Sequence, residues 1–201
     1  SNTVLNNTAG IILSASPSPT VTKNLVGDTT GIGITIGLGS TGAKVTINTV
    51  RNGTADGILI SAATGKIYHN TSNGNGGDGI EVGSSVSSFD VRNNMLTNNT
   101  GGGLNAPFGG TVNYNDYFNN TGGACIGGCT NGANSLTSNP LFVNPSSPTY
   151  DFHLQEPNSP AINAGLNLGA DQPDVNGSGA GLFNGATPDM GAYESSGASA
   201  T

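Results

Sequence analysis

Charge, tryptophan, cysteine and strong helix formers are all scarce in this chain, and each shortage removes a class of protein. Only 8% of the 201 residues are charged, 5% are aromatic and none is Trp, while 33 are Gly and 27 are Asn. A coiled coil or helical bundle needs Ala, Glu, Lys and Leu at helical spacing, which this composition does not supply. Collagen is excluded because the Gly has no three-residue period, and a charge-driven disordered tail because so few residues are charged. The formal charge of −7, from five Lys plus Arg against twelve Asp plus Glu, argues against a nucleic-acid partner, since phosphate binding needs clustered cations. No run of eighteen apolar residues exists, so no membrane span is expected.

The two cysteines, Cys125 and Cys129, are too few for a zinc site. The short Cys-Ile-Gly-Gly-Cys loop either closes as a disulfide, the favoured reading, or lets Cys125 pack as a small hydrophobe. Scarce Lys with abundant Asn, Thr, Ser and Gly suits a secreted or surface protein. The sequence opens at Ser1 with no charged leader or apolar signal region, as expected for a processed chain or a segment of a longer one.

What is present in quantity is a repeat. Asn24, Asn48, Asn70, Asn94 and Asn115 occupy one equivalent position, and extrapolation upstream reaches Asn2. Three residues before the later five stand Val21, Val45, Ile67, Val91 and Val112; about ten after all six stand Ile12, Ile34, Ile58, Ile80, Leu104 and Cys125. A second polar column, Asn6, Asp28, Asn52, Asn98 and Asn119, is interrupted by Gly74. Segments such as Ile34-Thr35-Ile36 and Ile58-Leu59-Ile60 alternate with period two, which predicts short strands joined by Gly-rich or Asn-rich turns. Coils stacked roughly 4.8 Å apart pair each strand with its successor. The expected fold is therefore all-β: a right-handed parallel β-helix of about six coils of 21–26 residues. No Pro lies between Pro19 and Pro107, as required where every backbone N–H enters an inter-coil ladder.

Stacked Asn side chains can donate to and accept from the coils on either side, so Asn2, Asn24, Asn48, Asn70, Asn94 and Asn115 are read as a structural ladder rather than a ligand site. Six Asn stand in glycosylation sequons (Asn6, Asn52, Asn70, Asn98, Asn119 and Asn176), of which Asn176 is the best candidate to face outward. Residues 1–126 form the Asn-ladder coils. Residues 127–201 are expected to continue or cap the stack within the same structural domain.

That second part carries Asn139-Pro140-Leu141-Phe142-Val143-Asn144, Asp151-Phe152-His153-Leu154-Gln155, Ser159-Pro160-Ala161-Ile162-Asn163-Ala164-Gly165 and Pro188-Asp189-Met190-Gly191-Ala192-Tyr193-Glu194. Taken in order, these resemble the C-terminal signature of bacterial surface right-handed β-helix proteins described as choice-of-anchor Q domain proteins. The upstream coils are similar, less specifically, to the pectate-lyase-like β-helix. The resemblance implies right-handed coils and an extracellular or cell-surface location. Two features depart from it: the stretch Asp171 to Gly177 is followed by no Arg, and no sorting signal follows Glu194.

The resemblance also raises polysaccharide lyase or hydrolase activity, which would need carboxylates with Arg, Lys or His on the outer face of one sheet. The repeat register places Lys44, Lys66, Asp90 and Thr111 in one outward column and Thr46, Tyr68, Arg92 and Asn113 in the next. Lys44, Lys66, Tyr68, Asp90 and Arg92 are thus the carbohydrate-contact candidates, with a ladder of solvated cross-strand pairs as the simpler reading. Asp56 and Asp78 share a register but read as Asp-Gly turns with too few ligands for calcium, and Asp174 to Gly177 lacks the Glu that would close a calcium loop. His69 and His153 are far apart in register and support no catalytic triad. No catalytic residue, metal or cofactor is expected.

The expected function is a non-catalytic extracellular structural or adhesive solenoid. Copies of the chain stacking end to end into filaments are one expected partner, because the first coil begins within a repeat. A carbohydrate-binding adhesin and a degenerate polysaccharide lyase or hydrolase are the alternatives.

Overall fold

The computed structural model describes residues 1–62, 64–107, 109–175 and 183–196. Each repeat makes one coil of three short strands, and equivalent strands stack into three parallel sheets. The first sheet holds Thr3–Leu5, Leu25–Gly27, Thr49–Arg51, Thr71–Asn73, Met95–Thr97 and Asp116–Phe118. The second holds Ile11–Leu13, Ile34–Ile36, Ile58–Ile60, Ile80–Val82, Gly102–Asn105 and Gly123–Ile126. The third has five strands, Thr20–Thr22, Ala43–Thr46, Thr64–Tyr68, Ser88–Arg92 and Thr111–Asn113.

Period-two alternation decides which side chains enter the bore. Val26, Val50, Leu96 and Tyr117 enter from the first sheet, the Ile pairs of residues 34/36 and 58/60 from the second, and Val21, Val45, Ile67 and Val91 from the third; all are buried in one continuous cluster. The expected pairings of Val45 with Ile67, Ile67 with Val91 and Val91 with Val112 are present. One register shifts: Ile11, not Ile12, pairs with Ile34, and Ile12 points outward with 58% of its surface exposed. The cause is a shorter first coil. Asn6 aligns with Asp28 through its N–H bond to Gly27, and Gly10 donates to Ile32, so one residue is missing between Asn7 and Gly10 relative to the next coil.

The Asn ladder runs along the corner between the third and first sheets. Asn94 Oδ1 accepts from both the backbone N–H (2.9 Å) and the Nδ2 (3.0 Å) of Asn70. Asn94 in turn donates its N–H and Nδ2 to Asn115 Oδ1 and further Nδ2 bonds to the carbonyls of Ile67 and Arg92. Asn2, Asn24 and Asn48 repeat the pattern, and Ser135 Oγ extends it by accepting from the Asn115 N–H. Every polar side-chain atom of the buried Asn48, Asn70, Asn94 and Asn115 therefore finds a partner in the turn, as burial demands.

The second polar column has a different role from the one expected. Asn6, Asp28, Asn52, Gly74, Asn98 and Asn119 all have φ between 51° and 68° and form a left-handed corner, a conformation for which Gly, Asn and Asp are best suited. The actual second ladder lies one residue downstream: Asn75, Asn99 and Asn120 are linked by paired backbone and side-chain bonds of 2.9–3.0 Å, and Asn75 Oδ1 also accepts from the Gly53 N–H.

The described residues of the 127–201 segment also depart from the expected continuation of the stack. Leu136 bridges Asp116 in parallel and adds one rung to the first sheet, after which the chain leaves the stack and folds back along its side. Strands Phe142–Asn144 and Asp151–Leu154 form an antiparallel hairpin. Its apolar side chains, with Ala161 and Met190, close over Met95, which is wholly buried. Lateral packing is favoured because Met95 and its neighbours present an apolar outer face that continued stacking would leave in water. At the far end of the bore, Cys125 and Cys129 form a disulfide with Cα atoms 5.7 Å apart and pack against the core cluster.

Candidate functional site

The five carbohydrate-contact candidates do lie on the outer face of the third sheet. Lys44 pairs with Lys66 and Lys66 with Asp90 in one column; Tyr68 pairs with Arg92 in the next. Lys44, Lys66 and Asp90, with Gly65, Phe89 and Thr111, line a shallow groove of about 300 Å³. Tyr68 and Arg92 lie at the corner end of the same strands.

The charges are paired within the chain, although Lys44 and Lys66 stay partly open to solvent. Lys66 and Lys44 approach the two oxygens of Asp171 at 2.5 and 3.3 Å, so one carboxylate on the folded-back segment bridges both ammonium groups. Lys66 first, then Lys44, holds the Asp171 carboxyl below the usual carboxylate range. Arg92 Nε is 2.7 Å from Asp90 on its own strand, and Tyr68 Oη donates to Asp90 Oδ2 at 2.9 Å. Tyr68 is almost fully buried, and burial together with the bond to Asp90 pushes its hydroxyl pKa upward. Its ring is therefore withdrawn from the stacking role that a sugar contact would give it. The sequence register found these neighbours but missed Asp171, which is more than a hundred residues downstream of Lys66.

A site absent from the sequence reading lies along the same edge. One residue before each ladder Asn the backbone turns left-handed: Lys23 (φ 56°), Ile47 (57°), His69 (52°), Asn93 (58°) and Tyr114 (55°). Such φ values strain a β-branched Ile in particular. The side chains of this column leave the bore and meet the folded-back segment. Lys23 pairs with Asp174 at 3.4 Å, Ile47 packs with Val175 and Ala192, and Tyr114 joins the cluster around Met95. Asn93 binds the Leu166 backbone twice, accepting its N–H and donating to its carbonyl, and its own carbonyl accepts from Gly191.

His69 is completely buried in this interface. Its Nε2 lies 2.8 Å from Asn93 Nδ2 and 3.1 Å from Gln172 Nε2. Both partners donate, so Nε2 is the acceptor and the proton resides on Nδ1. Burial lowers its pKa to about 4. A ring sealed from water and engaged at Nε2 cannot serve as a general base for an outside substrate.

Acidic groups gather in one more place. Asp56, Asp78 and Glu81 bring ligand atoms within 4.8 Å of one another on the edge of the second sheet, the one such grouping of three among the described residues. Glu81 was not foreseen; it joins because its side chain leaves the same face of the coil as the two turn aspartates. Burial and a hydrogen bond to Asp56 raise its pKa. Asp78 accepts from the Gly102 N–H and from Asn105 Nδ2, and Asp56 from the Asp78 N–H. Glycoside hydrolysis by two carboxylates needs them about 5 Å apart or more to straddle a bond. Groups in direct contact do not meet that requirement. His153 pairs with Asp151 at 2.7 Å on the exposed hairpin, remote from this cluster in register. Asn176, the sequon favoured for a glycan, lies outside the described residues, as does the end of the Asp174 to Gly177 loop.

The three stacked parallel sheets and internal Asn ladders define a parallel β-solenoid with a laterally docked C-terminal segment. A family model described as right handed beta helix region matches residues 1–141, and the chain belongs to that family. No curated protein and no solved structure matches the chain.

Proposed function

We propose that this chain is a non-catalytic structural or adhesive β-solenoid of an extracellular or cell-surface protein. One observation carries the reading: all five polar side chains of the candidate strip are engaged within the chain, Lys44 and Lys66 by Asp171, and Tyr68 and Arg92 by Asp90. A catalytic strip needs at least one acid or base free to meet substrate. The disulfide and the C-terminal resemblance to bacterial surface β-helix proteins support the location. The test is incubation with polygalacturonate and other polyuronates, with and without calcium, followed by the absorbance of unsaturated products. No release is expected; release abolished by Arg92→Ala overturns the reading.

The groove beside Lys44, Lys66 and Asp90 favours a second reading, a polysaccharide-contact surface. A glycan array in which a signal disappears with Lys44→Ala and Lys66→Ala supports it, and a blank array removes it. Rung-to-rung stacking of copies is the assembly that suits a structural role. Light scattering at high concentration with negative-stain microscopy distinguishes filaments from monomers.

A further inference from the structure

The left-handed column fastens the folded-back segment at successive coils, and His69 is the member whose own side chain supplies a titratable acceptor. We propose that Leu166–Gln172 is a strap held to the solenoid by the unprotonated Nε2 of His69 and released on acidification, and that its release draws Asp171 away from the Lys44 and Lys66 pair.

The geometry leaves no neutral way to accommodate a second proton. Asn93 cannot turn its amide, because Oδ1 accepts the Leu166 N–H at 2.9 Å while Nδ2 donates to the Leu166 carbonyl at 2.8 Å. Gln172 is fixed similarly: Oε1 accepts the Leu168 N–H at 3.1 Å, and Nε2 donates to the Pro173 carbonyl at 3.3 Å. A proton on Nε2 would face two N–H donors inside a site with no exposed surface. Relief requires the ring to reach water, and the strap lies in its path.

The charged groups on the surrounding elements offer the imidazolium no counter-charge. On its own and the next coil, Tyr68 and Arg92 are both committed to Asp90. On the strap, Asp171 faces Lys44 and Lys66, and just past its end Asp174 faces Lys23. Beyond it, Asp189 accepts the N–H groups of Asn163 and Ser195, and Glu194 those of Asn184 and Asp189. The buried ring has a pKa lowered to about 4 from 6.5 in an open, hydrated state. Because the docked value is the depressed one, docking is fully favoured above pH 6.5 and loses that advantage as pH falls toward 4. Asp171 keeps its charge across this window, since its lysines hold its pKa low, so the sensitivity belongs to His69. Asp116, Asp189 and Glu194 have raised pKa values and take up protons on acidification within the docked structure. Asp189 and Glu194 bind N–H groups of the segment beyond Gln172, so the opening is confined to the strap.

Amide hydrogen exchange, corrected for the intrinsic effect of pH, tests this directly on the whole chain. Protection of Leu166, Leu168 and Gln172 should fall by about tenfold or more between pH 6.5 and 4, while Ile67 and Val91 stay protected. His69→Gln, which keeps a neutral acceptor at similar reach, should abolish the fall. Gln172→Ala should leave the strap open at both ends of the range and serves if His69→Gln does not fold. Equal wild-type protection at both pH values, a wild-type-like fall in His69→Gln, or a closed strap in Gln172→Ala overturns the proposal.

Discussion

The guanidinium of Arg51 lies 3.8 Å from the ring centroid of Tyr150 while its Nη1 donates to the carboxylate of Asp28. Arg51 is nearly buried and donates to both Asp28 oxygens at 2.7–2.8 Å, and Tyr150 Oη accepts from Asn52 at 2.6 Å. The pair joins the hairpin to the solenoid by a cation–π contact with one hydrogen bond beside it.

Removing that ring should loosen the hairpin. Tyr150→Ala loses a partly desolvated cation–π contact and a hydrogen bond, together about 2–3 kcal/mol, whereas Tyr150→Phe keeps the ring and loses about 1 kcal/mol. Chemical denaturation of both variants checks this. Equal losses would assign the anchoring to the hydroxyl alone.

Neighbouring asparagines should differ sharply in their cost. Asn94→Ala and Asn99→Ala each empty a fully buried ladder position and should destabilise by about 1–3 kcal/mol or more. Asn98→Gly keeps the left-handed corner (φ 57°) open to a residue suited to it and should cost less than either. If thermal melts rank Asn98→Gly as the most damaging, the two ladder columns are wrongly placed.

Asp116 predicts a pH dependence of opposite sign to that of His69. Its side chain has no exposed surface and neither carboxyl oxygen has a hydrogen-bond partner. Burial raises its pKa from 3.8 to about 7. A raised folded value stabilises below the unfolded pKa and is lost as pH rises, so its stabilising effect should disappear between pH 3.8 and about 7, by a few kcal/mol. Asp116→Asn cannot ionise. The difference in melting temperature between wild type and Asp116→Asn should therefore grow in favour of the variant across that range, and a constant difference would falsify the assignment.

The repeat spacing, the Val and Ile columns and the first Asn ladder were legible because each rung imposes the same local requirement and selects the same residue type. Val45, Ile67 and Val91 recur because each fills the same bore, and Asn70 and Asn94 because each closes the same corner. The second ladder was misplaced by one residue since the doublets Asn98-Asn99 and Asn119-Asn120 put Asn at both the left-handed position and the ladder position. Only φ separates the two roles. The shorter first coil moved Ile12 outward for a related reason: the pattern is tolerant of a single deletion, while the hydrogen-bond register is not.

The side-docked segment was beyond the reach of the sequence. Its attachment column, Lys23, Ile47, His69, Asn93 and Tyr114, uses five different chemistries against five different partners, so it has a period but no repeated residue type. Asp171 meets Lys44 and Lys66, and Gln172 meets His69, only because the chain reverses after Leu136 and crosses the coils. A solenoid's local pairings determine its own period; what lies against its flank depends on contacts between residues a hundred or more apart, whose energy exists only once the coils have stacked.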